Sequence, residues 1–323
     1  MPITTALARP GVALPAAGPP PAPAIEVEHL VKRYGDHVAV RDVSFTVAPG
    51  EVFGILGPNG AGKTSTVECL QGLRRPDGGR VRVLGLDPQA DATALRRRIG
   101  SQLQDSALPD RMRVWEALDL FASLAPGGRD PGDLLEEWGL VDRRDTAFAD
   151  LSGGQRQRLF VALALVGRPE VVFLDELTQG LDPAARRVAW SLVRAVRDRG
   201  TTVVLVTHHM DEAQRLSDRL AVVAGGRVVT QGAAQELIAR SGGGLVVAFS
   251  TDLGDVSWLG DLDPVDAVAR HGAHVEVRGR GPVLAVVAAA LSRHGASPAD
   301  LRVEQPSLED VYMQLTTAQE DRI

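Results

Sequence analysis

The chain is 323 residues long, 44% apolar and 24% charged, with a net charge of −6 at pH 7. That length supports one large domain and one small one with ample core, and the composition excludes a disordered or fibrous polymer and argues against general nucleic-acid binding. The single cysteine, Cys69, excludes an internal disulfide and suits a reducing compartment, and no apolar run approaches the ~18 residues that a membrane-spanning helix needs.

Residues 1–24 are rich in proline and alanine, and Pro19, Pro20 and Pro21 interrupt any apolar stretch that a signal peptide would need. A disordered tail is expected there. Over 25–56 the pattern is one of short strands: Val43, Phe45 and Val47 alternate with polar neighbours, and Val52 to Leu56 reads as a buried strand. Gly57, Pro58, Asn59, Gly60, Ala61, Gly62, Lys63 and Thr64 then fit the phosphate-binding pattern G-x-x-x-x-G-K-[ST]. A helix is expected next, over 64–73, with Val67, Leu70 and Leu73 on one stripe. In this strand–loop–helix setting the glycines let backbone N–H groups curl around phosphate oxygens, and the helix N-terminus adds partial positive charge. Lys63 reaches the outer phosphates, and the Thr64 hydroxyl is suited to Mg²⁺. A glycine-rich turn that matches by accident is the alternative. Against it, Lys32 and Lys63 are the only lysines among 35 basic residues, so a lysine stands at the one place that needs a compact ammonium. Cys69 falls on the helix and reads as a small core residue.

The middle of the chain is helical over 114–124 and 134–140, with the breaker cluster Pro126, Gly127 and Gly128 between. Leu151, Ser152, Gly153, Gly154 and Gln155 open a further helix: Ser152 is its N-cap, Gln155 the capping-box partner, and Leu159, Leu163 and Val166 the buried stripe. Capping does not explain two consecutive glycines. Exposed N–H groups, a hydroxyl and no side-chain bulk make a second phosphate-binding surface. Val171 to Leu174 and Val203 to Val206 are continuous apolar runs, typical of strands buried on both faces of a parallel sheet, and the helix over 183–199 between them completes a βαβ unit. Asp175 and Glu176 end the first of these strands, where ligands gather in α/β sheets. Asp175 is placed to hold Mg²⁺ through water and Glu176 to polarise an attacking water; two acids capping a helix is the plainer reading. Residues 221–229 form a hairpin around Gly225 and Gly226. After the glycine-rich joint Ser241 to Gly244, strands over 245–249, 274–277 and 301–303 and helices over 283–293 and 308–315 suggest a small α+β domain.

From about Ile25 to Leu237 these motifs, in this order, resemble the nucleotide-binding subunits of ATP-binding cassette (ABC) transporters. The resemblance implies an α/β P-loop NTPase core with an antiparallel β subdomain and a helical subdomain, over residues 25–240, and an accessory α+β domain over 245–323. It also implies residue roles. Gln104 is the glutamine that senses the metal and contacts the membrane subunit. Residues 151–155 are the family signature, continued by Arg156, Gln157 and Arg158. Asp175 is the Mg²⁺ acid beside Thr64, and Glu176 the catalytic carboxylate. Gly180, Leu181, Asp182 and Pro183 form the D-loop, and His208 is the switch histidine. Ser65 completes the ATP-binding loop, and Tyr34 sits where an aromatic ring stacks on adenine.

Bland readings stand beside several of these. Tyr34 is also placed to be a core or edge aromatic, and Gln102 competes with Gln104 for the same role. His209 and the other histidines, His29 and His37 included, read as structural or solvent-facing. Arg96, Arg97 and Arg98 read as a solvated helix face, and Trp115, Trp138 and Trp190 as packing. Two departures from the family pattern are Leu177 and Leu103, each where proline is usual.

The resemblance further implies that the phosphate loop and the signature face each other across two subunits, with Ser152 and Gly154 of one copy touching the γ-phosphate bound by Lys63 of the other. The expected function is an ATP-hydrolysing subunit that drives a polytopic membrane permease, held peripherally at the cytoplasmic face of the membrane. Ser307 to Tyr312 resembles the terminal motif of ATPases that serve ABC-2-type exporters, the drug-resistance and daunorubicin types among them, and a homodimer is reasonable because both halves of the site look intact. A soluble ABC ATPase, regulatory or ribosome-associated, is the alternative. The 245–323 segment reads either as a dimer brace or as a regulatory lid.

Overall fold

The computed structural model describes residues 22–103, 106–240, 244–304 and 307–312. Most of the expected N-terminal tail, Gln104, Ser241 to Gly243 of the joint and the end of the last expected helix lie outside the described residues. Among the described residues thirteen strands run β1 (Ile25–Tyr34), β2 (His37–Val47), β3 (Val52–Leu56), β4 (Gly78–Val83), β5 (Ile99–Gln102), β6 (Val171–Asp175), β7 (Thr202–Thr207), β8 (Arg219–Ala224), β9 (Arg227–Gly232), β10 (Leu245–Ser250), β11 (Val265–His271), β12 (His274–Gly279) and β13 (Arg302–Glu304). The helices are α1 (Lys63–Leu70), α2 (Ala92–Arg96), α3 (Val114–Leu124), α4 (Pro131–Glu137), α5 (Gly153–Leu165), α6 (Pro183–Asp198), α7 (Met210–Leu216), α8 (Ala234–Arg240) and α9 (Val283–Arg293).

Nine strands form one sheet in the order β4-β1-β2-β9-β8-β3-β7-β6-β5. Strands β5, β6, β7, β3 and β8 are mutually parallel, and β1 pairs antiparallel with β2 and β4. Strands β3, β6 and β7 are buried along their whole length, which is why their central residues are apolar on both faces rather than alternating, with Asp175, Thr202 and Thr207 only at strand ends. In β2, by contrast, Val43, Phe45 and Val47 are buried while Thr46 is exposed, so this part of the sheet shows the period of two. The Phe45 and Phe53 rings stack at 5.0 Å, joining the antiparallel strands to the parallel ones.

Helices α3, α4 and α5 are inserted between β5 and β6 and rest on the parallel sheet through one core that includes Leu118, Leu134, Trp138, Leu159, Leu174 and Val203. The insert is also tied by Glu137, which accepts from Arg129 at 2.6 Å and from Arg199 at 2.5 Å. Burial pushes the Glu137 carboxyl up, but the two guanidinium hydrogen bonds outweigh it and leave it below the usual carboxylate range.

Helix α1 stops at Leu70, three residues short of the expected end, because Gln71 and Gly72 break the turn; Leu73 is therefore half exposed rather than part of the stripe. The expected helix over 134–140 instead runs 131–137, because Asp130 caps it with bonds from Gly132 and Asp133 N–H and Pro131 opens it. Cys69 is fully buried, and burial raises its thiol to about 11, against Lys32, which lowers it; it is a core residue.

A second sheet, β11-β12-β10-β13, is covered on one face by α9, with Val283, Val287 and Leu291 packed on Val247, Phe249 and Val277. The helical turn at 308–312 does not join this core. Ser307 and Asp310 cap each other, and Leu308 and Tyr312 pack instead against Leu56, Met210, Ala213, Val222 and Leu237 of the large unit.

Candidate nucleotide site

Sheet order builds the site. Strand β7 lies between β3 and β6, with Leu56 opposite Thr207 and Asp175 opposite Val206. The three carboxyl ends are therefore neighbours, and the groups just beyond them, the Gly57 loop, Glu176 and His208, meet in one place.

The loop between β3 and α1 turns back on itself through positive φ at Gly60 (+80°) and Gly62 (+97°). A Cβ at Gly57 would lie 2.2 Å from the Val223 carbonyl oxygen, and one at Gly62 2.4 Å from that of Ala39. The loop is thus clamped between β8 and β2 with no space for side chains at these two positions. The Lys63 ammonium is held inside the loop, donating to the carbonyls of Gly57 (2.9 Å) and Pro58 (3.0 Å). Burial pulls Lys63 below its ordinary value, and the nearby Glu176 and Asp175 carboxylates oppose that. The Thr64 side chain, itself exposed, reaches Asp175.

Asp175 is buried, and among the described residues its Oδ1 has no hydrogen-bond partner. Burial and the Glu176 charge raise its pKa to about 6, against the pull of Lys63 and Thr64. An orphaned carboxylate oxygen beside a hydroxyl, in a place that penalises the free anion, fits a divalent cation. Glu176 is also buried, and its Oε1 lies 2.9 Å from His208 Nδ1. Its φ is +49°, a left-handed conformation that costs a non-glycine residue about 1 kcal/mol or more. A residue before proline is pushed towards extended φ. Leu177 removes that restriction, so the departure from the family pattern and the backbone of Glu176 are consistent with each other; Leu177 itself is buried.

The His209 ring lies 4.1 Å from that of His208, a neighbour relation that the alternation of a strand end did not suggest. Burial, and then the His208 charge, lower the His209 pKa. Gln102 ends β5, buried, with its amide nitrogen on the Leu103 carbonyl at 3.0 Å. Tyr34 is 40% exposed, and its hydroxyl lies 3.2 Å from Ser65 Oγ. It borders a concavity of about 290 Å³ together with Gly60, Gly62, Lys63, Thr64 and Ser65.

The signature segment lies elsewhere. Ser152 caps α5 with a reciprocal capping box to Gln155, at 2.9 and 3.3 Å. Asp182 caps α6, accepting from Ala184 (2.8 Å) and Ala185 (2.9 Å) N–H groups, which hold its carboxyl below the usual range. Ser152, Gly153, Gly154, Gln155 and Asp182 border a separate cavity of about 380 Å³, and no residue is shared with the concavity at Tyr34. Ser152 and Gly153 are exposed, and a Cβ at Gly153 would meet nothing within 4 Å. Nothing in the described part of this chain requires a glycine there.

A glycine loop between a buried strand and a helix, with acids at a neighbouring strand end, defines a P-loop nucleoside triphosphatase. Residues 40–179 match the profile of the family described as ABC transporter. The chain is 40% identical to the daunorubicin resistance ATP-binding protein DrrA3 of Streptomyces coeruleorubidus, over 91% of this chain and 96% of that one. It is 38% identical to the Nod factor export ATP-binding protein I of Paraburkholderia xenovorans, over 92% and 98%. Among solved structures, an ATP-binding subunit of an ABC transporter superposes with a TM-score of 0.62 at 27% identity, covering 68% of this chain and 93% of that chain. A dimeric bacterial ABC transporter cassette superposes with a TM-score of 0.58 at 26% identity, over 65% and 98%. The chain belongs to the ABC transporter family, as one of its ATP-binding, ATP-hydrolysing subunits.

Proposed function

We propose that this chain is the ATPase of an ABC-2-type exporter for drug-like or other amphiphilic cargo, and that it works as a homodimer on the cytoplasmic face of the membrane. The observation that carries the ATPase part is the meeting of Lys63, Asp175, Glu176 and His208 at three adjacent strand ends. The domains are the nucleotide-binding unit over 25–240 and an accessory α+β unit that starts at 245, with the terminal turn at 308–312 packed on the nucleotide-binding unit rather than on the accessory core. Export as the direction of transport rests on relatives that cover nearly the whole chain and are named for drug resistance and for export.

In this reading the backbone N–H groups of Gly60 to Thr64, with Ser65, cradle the phosphates, and Lys63 leaves the Gly57 and Pro58 carbonyls to engage the outer phosphates. Thr64 and Asp175, together with Gln104 in this reading, would hold Mg²⁺, which when bound would supply charge neutralisation to the phosphates. Glu176 accepts the proton of the attacking water, and His208 orients Glu176 through the 2.9 Å hydrogen bond. Ser152, Gly153 and Gly154 of the second copy close the site from the other side; an exposed glycine with open space above it is what a close-approaching partner phosphate needs. ATP then joins two subunits, and its hydrolysis loosens them and moves the permease.

No helix among the described residues is long and apolar enough to cross a membrane, so the transport path in this reading belongs to another chain. Affinity capture of the tagged chain from detergent-solubilised membranes tests this. A polytopic membrane protein is expected to co-purify in stoichiometric amount, with ATPase activity in the complex. Recovery on ribosomes without any membrane protein contradicts the exporter reading.

A further inference from the structure

We infer that Glu212 is a positioning residue for hydrolysis: through Trp190 it ties the start of α7, and His208 with it, to the helix α6 that Asp182 caps. The inference rests on the reading of Glu176 and His208 as the hydrolytic pair. Helix α7 lies against α6 and against β3 and β7, and Glu212, Ala213 and Leu216 are its buried residues. An apolar side chain is what that face calls for at position 212. A fully buried carboxylate stands there instead, with the Trp190 Nε1 of α6 donating to its Oε1 at 3.2 Å. Among the described residues its Oε2 has no hydrogen-bond partner. A buried carboxylate so thinly satisfied stabilises a fold less than an apolar side chain of the same volume. Packing therefore does not account for a glutamate here, whereas the bond it makes between two helices does.

Glu212 stands three residues after His209, the N-cap of α7, so the two are neighbours on the helix surface. Their charges act on each other: burial lowers the His209 pKa most, His208 lowers it further, and Glu212 opposes both. Arg186 acts on His209 as well, from the first turn of α6, where its N–H bonds the Asp182 carbonyl. The His209 ring in turn lies 4.1 Å from that of His208, whose Nδ1 is 2.9 Å from Glu176 Oε1. One end of this line of contacts is the proposed base, and the other is α6. A second tie, from the Arg194 guanidinium to the Arg215 carbonyl at 3.1 Å, joins the same two helices at an exposed position near the far end of α7. The Trp190–Glu212 bond is the buried tie, in the turn of α7 that follows the histidines.

Single-turnover hydrolysis and calorimetric ATP affinity of the full chain, with thermal unfolding as the control for folding, test this. Glu212→Leu keeps the side-chain volume and removes the acceptor. It is expected to lower the single-turnover rate about 10-fold or more, because a misplacement of about 1 Å can cost about 10²-fold, while ATP affinity stays within about twofold and Tm does not fall. Glu212→Gln can still accept from Trp190 and is expected to stay within about threefold of the wild-type rate. Trp190→Phe removes the donor, leaves the carboxylate, and is expected to slow hydrolysis in the same sense; it decides the matter if Glu212→Leu does not fold. A wild-type rate in Glu212→Leu or in Trp190→Phe overturns the inference, as does a Glu212→Gln variant as slow as Glu212→Leu. His208→Ala, run alongside, is expected to be slow. If it is and Glu212→Leu is not, the role of Glu212 fails alone; if His208→Ala hydrolyses at the wild-type rate, the reading of His208 fails as well.

Discussion

Glu176→Gln is expected to lower ATP turnover by about 10²- to 10⁴-fold while ATP affinity stays within about twofold of wild type. The substitution removes the proton acceptor and keeps nearly everything else. The amide has the shape of the carboxylate, an oxygen can still face His208 Nδ1 at 2.9 Å, and the backbone bond from Glu176 N–H to the Val206 carbonyl is untouched. Removing the charge also relieves Asp175, whose pKa Glu176 helps to raise, so Mg²⁺ binding is not expected to suffer. Single-turnover hydrolysis with excess protein is the measurement, because it isolates the chemical step from product release. An unchanged single-turnover rate contradicts the assignment of Glu176 as the base.

Lys63→Ala has the opposite signature: nucleotide affinity falls by about tenfold or more, and turnover falls with it. Charge-assisted hydrogen bonds to phosphate contribute about 1.5–3 kcal/mol, which corresponds to about 10- to 150-fold in affinity. The ammonium sits within the loop beside the Asp175 and Glu176 carboxylates, and both act on its pKa. Its loss leaves two buried acids with less compensating charge facing an incoming polyanion. Calorimetric titration with ATP and Mg²⁺ checks this. Wild-type affinity in Lys63→Ala contradicts the placement of the outer phosphates on this residue.

Much of the catalytic half was legible in the residues because it is built from elements with strong local signals. Continuous apolar runs marked β3, β6 and β7, and the residues that end them, the loop glycines and the pair Asp175-Glu176, stand at fixed positions. Parallel register then brings those ends together, and this needs no long-range information beyond strand order. The bounds of α3 and α9 were legible for the same reason, since a helical period runs through each and a breaker ends it.

The remainder was not legible because it depends on contacts between distant parts of the chain. The turn at 308–312 has an amphipathic pattern that says it packs, but not against what; its partners Leu56, Met210 and Val222 are some 90 to 250 residues away in sequence. The close, tilted contact of the His208 and His209 rings arises from the bend that leads into α7, which no alternation rule describes. Glu176 adopts its positive φ because the surrounding strands hold it there, although local propensity disfavours it.

The sharing of one site between two copies is tested most directly by mixing two inactive variants. Lys63→Ala destroys the phosphate loop and spares the signature; Gly153→Glu fills the open space above α5 with a charged side chain and spares the loop. In a mixed dimer one site combines the intact loop of the second variant with the intact signature of the first. Each variant alone is expected to be inactive, and an equimolar mixture to recover a substantial fraction of wild-type ATPase activity. A mixture as inactive as its components, with mixed dimers shown to form, or a Gly153→Glu variant that hydrolyses ATP at the wild-type rate, would contradict it.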